Sequence, residues 1–433
     1  MVSMKKIGSI LINFTAILSI FPFLRSKNRS ANILLWVPKI FAGALSSITA
    51  LICGLGSVLG VIRRDWKLTG AGLLGFSFSL KYLNRIPKSQ DLFADAFGTG
   101  WQEQIPNIQS SKLPAHNWSL VRLPPGGAVF QRNLVVGKSI KTGKPLLADL
   151  WQPKPEMPCS GLGVIYAHGS GWRLGDKDLG TRTFFRHLAG QGHVVLDLAY
   201  TLWPQADVKD MVTEIYQAIL WLKENSTDFG VKQERIVLMG GSAGGQLVLT
   251  AAYSPNNPDF LPSKDSGDTT VRGVVAFYPP VDFIAQYKDN QEQLQKKPNA
   301  IDHTAINFLT SLFMMRAEYF KRGRRDYIES PNYIGMIIGA DLKEDPELYQ
   351  LLSPINHVGP HCPPTLILQG SDDCLVSVQT VRRMHQDLQA AGVPAILVEF
   401  PHTEHGFDLI FPQISPVAHS ALSDVEHFLA LLV

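Results

Sequence analysis

From residue 127 onward, short apolar runs alternate with longer stretches in which apolar residues recur every three or four positions. "AVFQRNLVVG", "PLLADLW", "GLGVIYA", "HVVLDLAY", "RIVLM", "VRGVVAFY", "PPTLILQG" and "AILVEF" read as strands. The first two are expected to pair as a hairpin through the turn "KTGK". Between the later runs lie helical patterns. "TFFRHLAG" ends at Gly190, and residues 207–225 set Val208, Met211, Val212, Ile215, Ala218, Ile219 and Leu222 on one stripe. Another helix begins at Ser242, and "VQTVRRMHQDLQAAG" separates the last two strands. Strands that are apolar throughout need cover on both faces, so the pattern predicts an α/β domain with a mostly parallel sheet between helices. In such sheets chemistry gathers at the carboxyl ends of the strands.

The first part of the chain has a different pattern. Ile7–Leu24 and Ile40–Ile62 carry no charge, and each is long enough to cross a hydrocarbon core about 30 Å thick as a helix. The second run contains Gly43, Ala44, Ser46, Ser47, Gly54, Gly56 and Gly60, small residues that let helices approach closely. Leu68–Leu80 is shorter: it spans only with its flanks, or lies as a re-entrant or interfacial helix. The competing readings are buried core helices and, for the first run, a cleaved signal peptide. No clean small-residue cleavage site follows Leu24, and a second apolar run arrives almost at once. Residues 1–83 are therefore expected to be a membrane region of two or three transmembrane helices.

The densest basic loop, with Arg25, Lys27, Arg29 and Lys39, lies between the first two runs; Lys5 and Lys6 precede them, and Arg63, Arg64 and Lys67 follow. With three spans and that loop in the cytoplasm, the large C-terminal part is cytoplasmic; with two spans it lies outside. The first arrangement is the one favoured. Residues 84–126 mix Pro, Ser, Asn and isolated aromatics without a sustained period, a linker packed on the domain that follows. The boundary is placed near Pro124, which leaves 127–433 as the main α/β domain, and no internal repeat is found.

Length and charge narrow the class further. The chain has 433 residues, and 40 Lys plus Arg against 37 Asp plus Glu leave a net charge of +3, with no basic stripe to suggest a nucleic-acid partner. The cysteines, Cys53, Cys159, Cys362 and Cys374, are scattered, without metal-ligand spacing or a disulfide framework. No metal and no organic cofactor is expected. The mean hydropathy of +0.05 owes most to the N-terminal region.

Three strand ends carry the chemistry. Gly240-Gly241-Ser242-Ala243-Gly244 sits between a strand and a helix, where a sharp turn that exposes a nucleophile needs glycines beside it. A simple packing turn or a phosphate cradle is the alternative, but the cradle would normally add a lysine where Gln246 stands. "YAHGSGW" follows another strand as a loop of small residues. Such a loop aims backbone N–H groups at a developing oxyanion, with Gly169 and Ser170 as the expected donors and Ala243 as the third. His168 is expected to orient that loop; it precedes the serine, which argues against its being the base. A serine needs a histidine to take its proton and a carboxylate to hold the imidazole, and "GSDDCLV" and "PHTEHGFD" supply both after the last strands. The residues alone leave Asp372 or Asp373, and His402 or His405, open.

The stretch from about 160 to 433 resembles the hormone-sensitive-lipase-like branch of the α/β-hydrolase fold, which includes small carboxylesterases and prenylcysteine methylesterase-like enzymes. "HGSGW" is similar to that branch's His-Gly-Gly-Gly-aromatic loop, "GGSAGG" to its Gly-Asp-Ser-Ala-Gly-Gly elbow, and "GSDDCLV" to its Gly-x-x-Asp-x-x-Val. The resemblance implies a triad of Ser242, Asp373 and His405, with Asp372 and His402 as neighbours. The sequence departs from the pattern at two positions: Ser170 stands for the middle glycine of the oxyanion loop, and Gly241 for the elbow aspartate.

Some seventy residues separate "VRGVVAFYPPVDF" from "LSPINHV", longer than an ordinary connection. A lid insertion is expected at about 284–345. Within it Ile306, Leu309, Phe313 and Phe320 share a helical face, Met314 and Met315 lie beside them, and Lys321, Arg322, Arg324 and Arg325 close the segment. The other reading is a helix that completes the core. Together these features predict a membrane-anchored serine hydrolase of carboxylic esters, acting on a small-molecule or lipid ester substrate and in contact with membrane lipids. An amidase or formamidase with the same triad is the alternative within enzymes; a non-catalytic ligand-binding membrane module is the alternative outside them.

Overall fold

The computed structural model describes residues 4–433 except 115, 123–126, 296–300, 302, 303 and 305–332. The expected boundary at Pro124 and the expected lid helix over 304–325 therefore lie almost wholly outside the described residues.

An eight-stranded sheet forms the centre, in the order β1-β2-β4-β3-β5-β6-β7-β8. Its strands are β1 (Val129–Lys138), β2 (Pro145–Gln152), β3 (Gly163–Ala167), β4 (Val194–Ala199), β5 (Ile236–Gly241), β6 (Gly273–Phe277), β7 (Thr365–Gly370) and β8 (Ala395–Phe400). β2 runs antiparallel to β1 and β4, and every other pairing is parallel. Each strand matches an apolar run in the sequence.

The inner strands β3, β5, β6 and β7 are apolar almost throughout because both faces are covered, whereas β1 at the sheet edge is largely exposed and carries polar residues. Ile236 and Leu238 of β5 face one core layer, Val237 and Met239 the other, and all four are fully buried. At about 1.5–3 kcal/mol for each large apolar side chain taken from water, such residues dominate the favourable side of folding. The first layer is completed by the helices Val208–Glu224, Ala243–Tyr253 and Val378–Ala390, the second by Arg182–Gly190 and Pro416–Leu431. The helix Val208–Glu224 starts with a capping box, in which Asp207 and Asp210 each accept the other's backbone N–H.

At the N-terminus, α1 (Met4–Leu18), α3 (Ser46–Arg63) and α4 (Trp66–Leu83) pack together, and small residues set their spacing. A Cβ on Gly72 would stand 2.5 Å from Ser57 N, and one on Gly75 would stand 2.8 Å from Ala16 Cα. Ile10, Phe14, Leu51, Leu55, Val58 and Ile62 are exposed on the outside of this group. Among the described residues, two stretches, Lys6–Phe23 and Ser46–Arg63, are long and apolar enough to cross a membrane.

The uncharged run 40–62 is not a single helix. It breaks at Leu45, and its first residues belong to α2 (Arg29–Ala44), a helix separate from α3. Tyr82 lies so close to Gly43 that a Cβ there would meet its hydroxyl at 2.6 Å. Residues 84–122 add α5 (Gln90–Phe97) and two shorter helical turns, which bury Phe93 and Trp101 in the second core layer.

Candidate active site

β5 ends at Gly241, and the chain reverses at once into α9 (Ala243–Tyr253, following α6 Asn107–Ser110, α7 Arg182–Gly190 and α8 Val208–Glu224). Ser242 sits at the turn with φ 51° and ψ −119°, a conformation costly for a residue with a side chain. The surrounding chain leaves room for little else. A Cβ on Gly244 would lie 2.0 Å from the carbonyl oxygen of Ala167, and one on Gly240 would lie 2.6 Å from Gly244 C. These two glycines are required by close approach. Gly241 is not: its Cβ would find ordinary contacts at 3.4 and 3.5 Å with the hydroxyls of Tyr278 and Tyr166.

The Oγ of Ser242 is 2.9 Å from His405 Nε2, and His405 Nδ1 is 2.8 Å from Asp373 Oδ2. The side chain of Asp373 is fully buried, yet each of its oxygens has partners. Oδ2 also accepts from Gln369 Nε2 at 2.9 Å, while Oδ1 accepts from Leu375 N at 2.9 Å and Val376 N at 2.8 Å. These four donors satisfy both oxygens of a carboxyl group that is out of contact with water. The loops after β7 and β8 approach closely enough for this because residue 370 is glycine: a Cβ there would meet Thr403 O at 2.4 Å.

Among the alternatives left open by the sequence, Asp372 turns to Lys39 and Arg25, and His402 pairs with Arg85 and packs on Phe23. Neither reaches Ser242 by any hydrogen bond among the described residues. His168 is buried, and its Nδ1 lies 2.9 Å from Gly169 O; its ring stacks on Tyr200, whose hydroxyl donates to His168 O at 2.8 Å. Burial pulls its imidazole down to about 4, so it stays neutral at ordinary pH and braces the loop.

Gly169 lies directly against the elbow: a Cβ there would stand 3.3 Å from Ser242 Cβ and 3.0 Å from Gly241 O. Ser170, Gly171 and Trp172 follow with φ of 85°, 64° and 59°, a run that bends the loop around this point. Tyr333 donates to Gly171 O at 2.6 Å, and Trp172 Nε1 donates to Gln246 Oε1 at 2.9 Å. The N–H groups of Gly169, Ser170 and Ala243 find no acceptor among the described residues. They are thus free to bind an anionic oxygen beside Ser242.

Several residues at the site lie outside any motif visible in the sequence. The ring of Tyr278 packs 4.4 Å from that of His405, and its hydroxyl donates to Asp408 Oδ1 at 2.5 Å. Burial pushes the Asp408 carboxyl up to about 6, and the Tyr278 hydrogen bond works against that rise. Asp408 is thus the carboxylate partner of the Tyr278 phenol, one of the two tyrosine hydroxyls that stand beyond Gly241. Trp36 Nε1 donates to His405 O at 2.7 Å, from a helix in the N-terminal region.

Comparison with known proteins agrees with this picture. The sequence profile of the BD-FAE family matches residues 149–388. The chain is 28% identical over 285 residues to the probable carboxylic ester hydrolase LipM of Mycobacterium tuberculosis (strain ATCC 25618 / H37Rv), across 65% of this chain and 57% of LipM. To esterase LipQ of the same organism it is 25% identical over 392 residues, 86% of this chain and 84% of LipQ. Among solved structures, the propionate-bound esterase 2 of Thermogutta terrifontis superposes with a TM-score of 0.51 at 21% identity, across 71% of this chain and 95% of that one. That likeness establishes the α/β-hydrolase fold.

Proposed function

The chain belongs to the BD-FAE family, and we propose on that footing that it is a serine hydrolase of carboxylic esters, held at a membrane by its N-terminal helices. The observation that carries the reading is the unbroken hydrogen-bonded chain from Ser242 Oγ through His405 to Asp373. The names of LipM, LipQ and esterase LipC point to the same bond type.

Ser242 Oγ attacks the ester carbonyl while His405 Nε2 takes its proton. Asp373 remains ionised, fixes the tautomer with the proton on Nδ1, and stabilises the imidazolium. The N–H groups of Gly169, Ser170 and Ala243 receive the oxyanion; the loss of one such donor typically costs about 10²–10³ in rate. His405 then returns the proton to the departing alkoxide, and a water activated by the same imidazole releases the acid from the acyl-enzyme.

Apolar side chains exposed along α1 and α3 favour a bilayer environment, since a chain of this kind in water would leave them uncovered. An ester with an apolar acyl or alcohol part, partitioned into the same bilayer, is the substrate class this arrangement suits. The test is hydrolysis of p-nitrophenyl esters of graded chain length by the full chain in detergent. Activity abolished by Ser242→Ala and rising with chain length supports the reading; activity unchanged by Ser242→Ala sinks it.

A further inference from the structure

α2 carries a single lysine inside an otherwise apolar stretch, "WVPKIFAGA". Its side chain is 2% exposed, with Nζ 2.7 Å from Glu404 Oε1 and 2.9 Å from Asp372 Oδ2. Each carboxylate belongs to the residue just before a triad member: Asp372 precedes Asp373, and Glu404 precedes His405. One ammonium therefore bridges the loop after β7 and the loop after β8. Glu404 Oε2 accepts from Cys374 N at 3.2 Å and closes the bridge from the other side. Three residues earlier on the same helix face, Trp36 donates to the carbonyl of His405, its ring edge-on to the imidazole with centroids 6.3 Å apart.

A buried lysine is costly unless fully paired, and the loss of one partner leaves the others as uncompensated buried charges. This cost is spent on the two loops that hold Asp373 and His405. The charged and titratable groups that face His405 are Asp373 directly and Asp408 through Tyr278. Further out stand Asp372, Glu404 and Lys39, with Arg25 3.7 Å from Asp372, Arg85 on His402, and Arg29 acting on Cys374. Arg25 is largely exposed, so Lys39 is the buried cation of the set.

We propose that α2 is part of the catalytic centre: Lys39 and Trp36 are positioning residues that hold the Asp373 and His405 loops in register, so that hydrolysis requires the N-terminal region. The inference rests on the triad assigned above but not on the identity of the ester. It changes the meaning of truncation, because removal of residues 1–83 takes away the brace along with the anchor. A shortened chain would be impaired even on a soluble ester.

The experiment measures kcat/KM against pH for one p-nitrophenyl ester, with full-length variants in detergent. Lys39→Met removes a positive charge, favours the imidazolium, and moves the acid limb to higher pH by roughly half to one unit. Glu404→Gln removes a negative charge and moves the limb to lower pH by a similar amount. Trp36→Phe lowers kcat by about tenfold with KM and the limb unmoved, a loss of orientation alone. A packing defect lowers activity without these opposite shifts. If Lys39→Met fails to fold, Glu404→Gln and Trp36→Phe decide the matter. A limb that stays at its wild-type position in Glu404→Gln, or wild-type kcat in Trp36→Phe, overturns the proposal. If Ser242→Ala retains hydrolysis, the triad reading fails. If Ser242→Ala is inactive while these variants match wild type, only the bracing role fails.

Discussion

Replacement of Asp373 by asparagine tests the electrostatic centre of the site with almost no change of shape. The carboxylate accepts four hydrogen bonds: His405 Nδ1 and Gln369 Nε2 on Oδ2, Leu375 N and Val376 N on Oδ1. An amide has one acceptor and one donor end, so no orientation satisfies all four. With its oxygen toward the two backbone N–H groups, its NH₂ faces His405 and Gln369. His405 must then accept at Nδ1, which places its proton on Nε2, where it can no longer receive one from Ser242. With the amide reversed, two buried backbone donors lose their acceptor at about 1–3 kcal/mol each. The first orientation is the cheaper one, and the wrong tautomer costs on the order of 10⁴ in kcat, about 5.5 kcal/mol of transition-state stabilisation. The assay is steady-state ester hydrolysis, with circular dichroism to confirm folding. Asp372→Asn, which disturbs the contacts with Lys39, Arg25 and Ser371 and none with Ser242 or His405, is expected to lose far less, about tenfold. A folded Asp373→Asn enzyme within tenfold of wild type would refute the reasoning, most clearly if Asp372→Asn proved the more damaging change.

Gly244→Ala drives a Cβ into the backbone of Ala167 and should abolish activity and lower Tm by several degrees, whereas Gly241→Ala, with contacts at 3.4 Å, should stay within about tenfold of wild type. Asp424 is buried, accepts from Ser89, and is pushed up to about 7 by desolvation. Because its folded value lies above its ordinary one, it costs stability as pH rises from the ordinary carboxyl range to about 7, by at most about 4 kcal/mol. Asp424→Asn should therefore raise Tm relative to wild type more near pH 8 than near pH 5, and an equal difference at both would contradict this. Leu55→Lys puts charge on the outer face at the middle of α3, at about 2.5–3.5 kcal/mol for a lysine at the centre of a spanning helix. Carbonate extraction should then release the protein, while recovery of wild type in the soluble fraction would argue against the anchor.

The sheet was legible because its strands are buried on both faces, so that "GVIYA" and "IVLMGG" stand out as apolar runs. The elbow was legible because close approach leaves glycine as the residue that fits at 240 and 244. The choice between paired candidates was not a local matter. Asp372 and Asp373 are adjacent, and only the direction of each side chain separates them. The run 40–62 misled because nothing in its composition marks the break at Leu45; the packing of Tyr82 on Gly43 is a tertiary fact. Lys39 falls by charge alone among the basic residues that follow the first apolar run, although a lone charge in an apolar helix is itself a signal of a buried partner. Its partners lie 333 and 365 residues away, beyond the reach of any pattern in the surrounding sequence.

The central claim is that Ser242 is the nucleophile, and covalent labelling addresses it most directly. Full-length protein in detergent is treated with a fluorophosphonate probe, digested, and the modified peptide located by mass spectrometry. The account predicts one adduct, on Ser242, absent from Ser242→Ala and formed at least about a hundredfold more slowly in His405→Ala. An unlabelled native protein, or an adduct on a different serine that persists in Ser242→Ala, would contradict it.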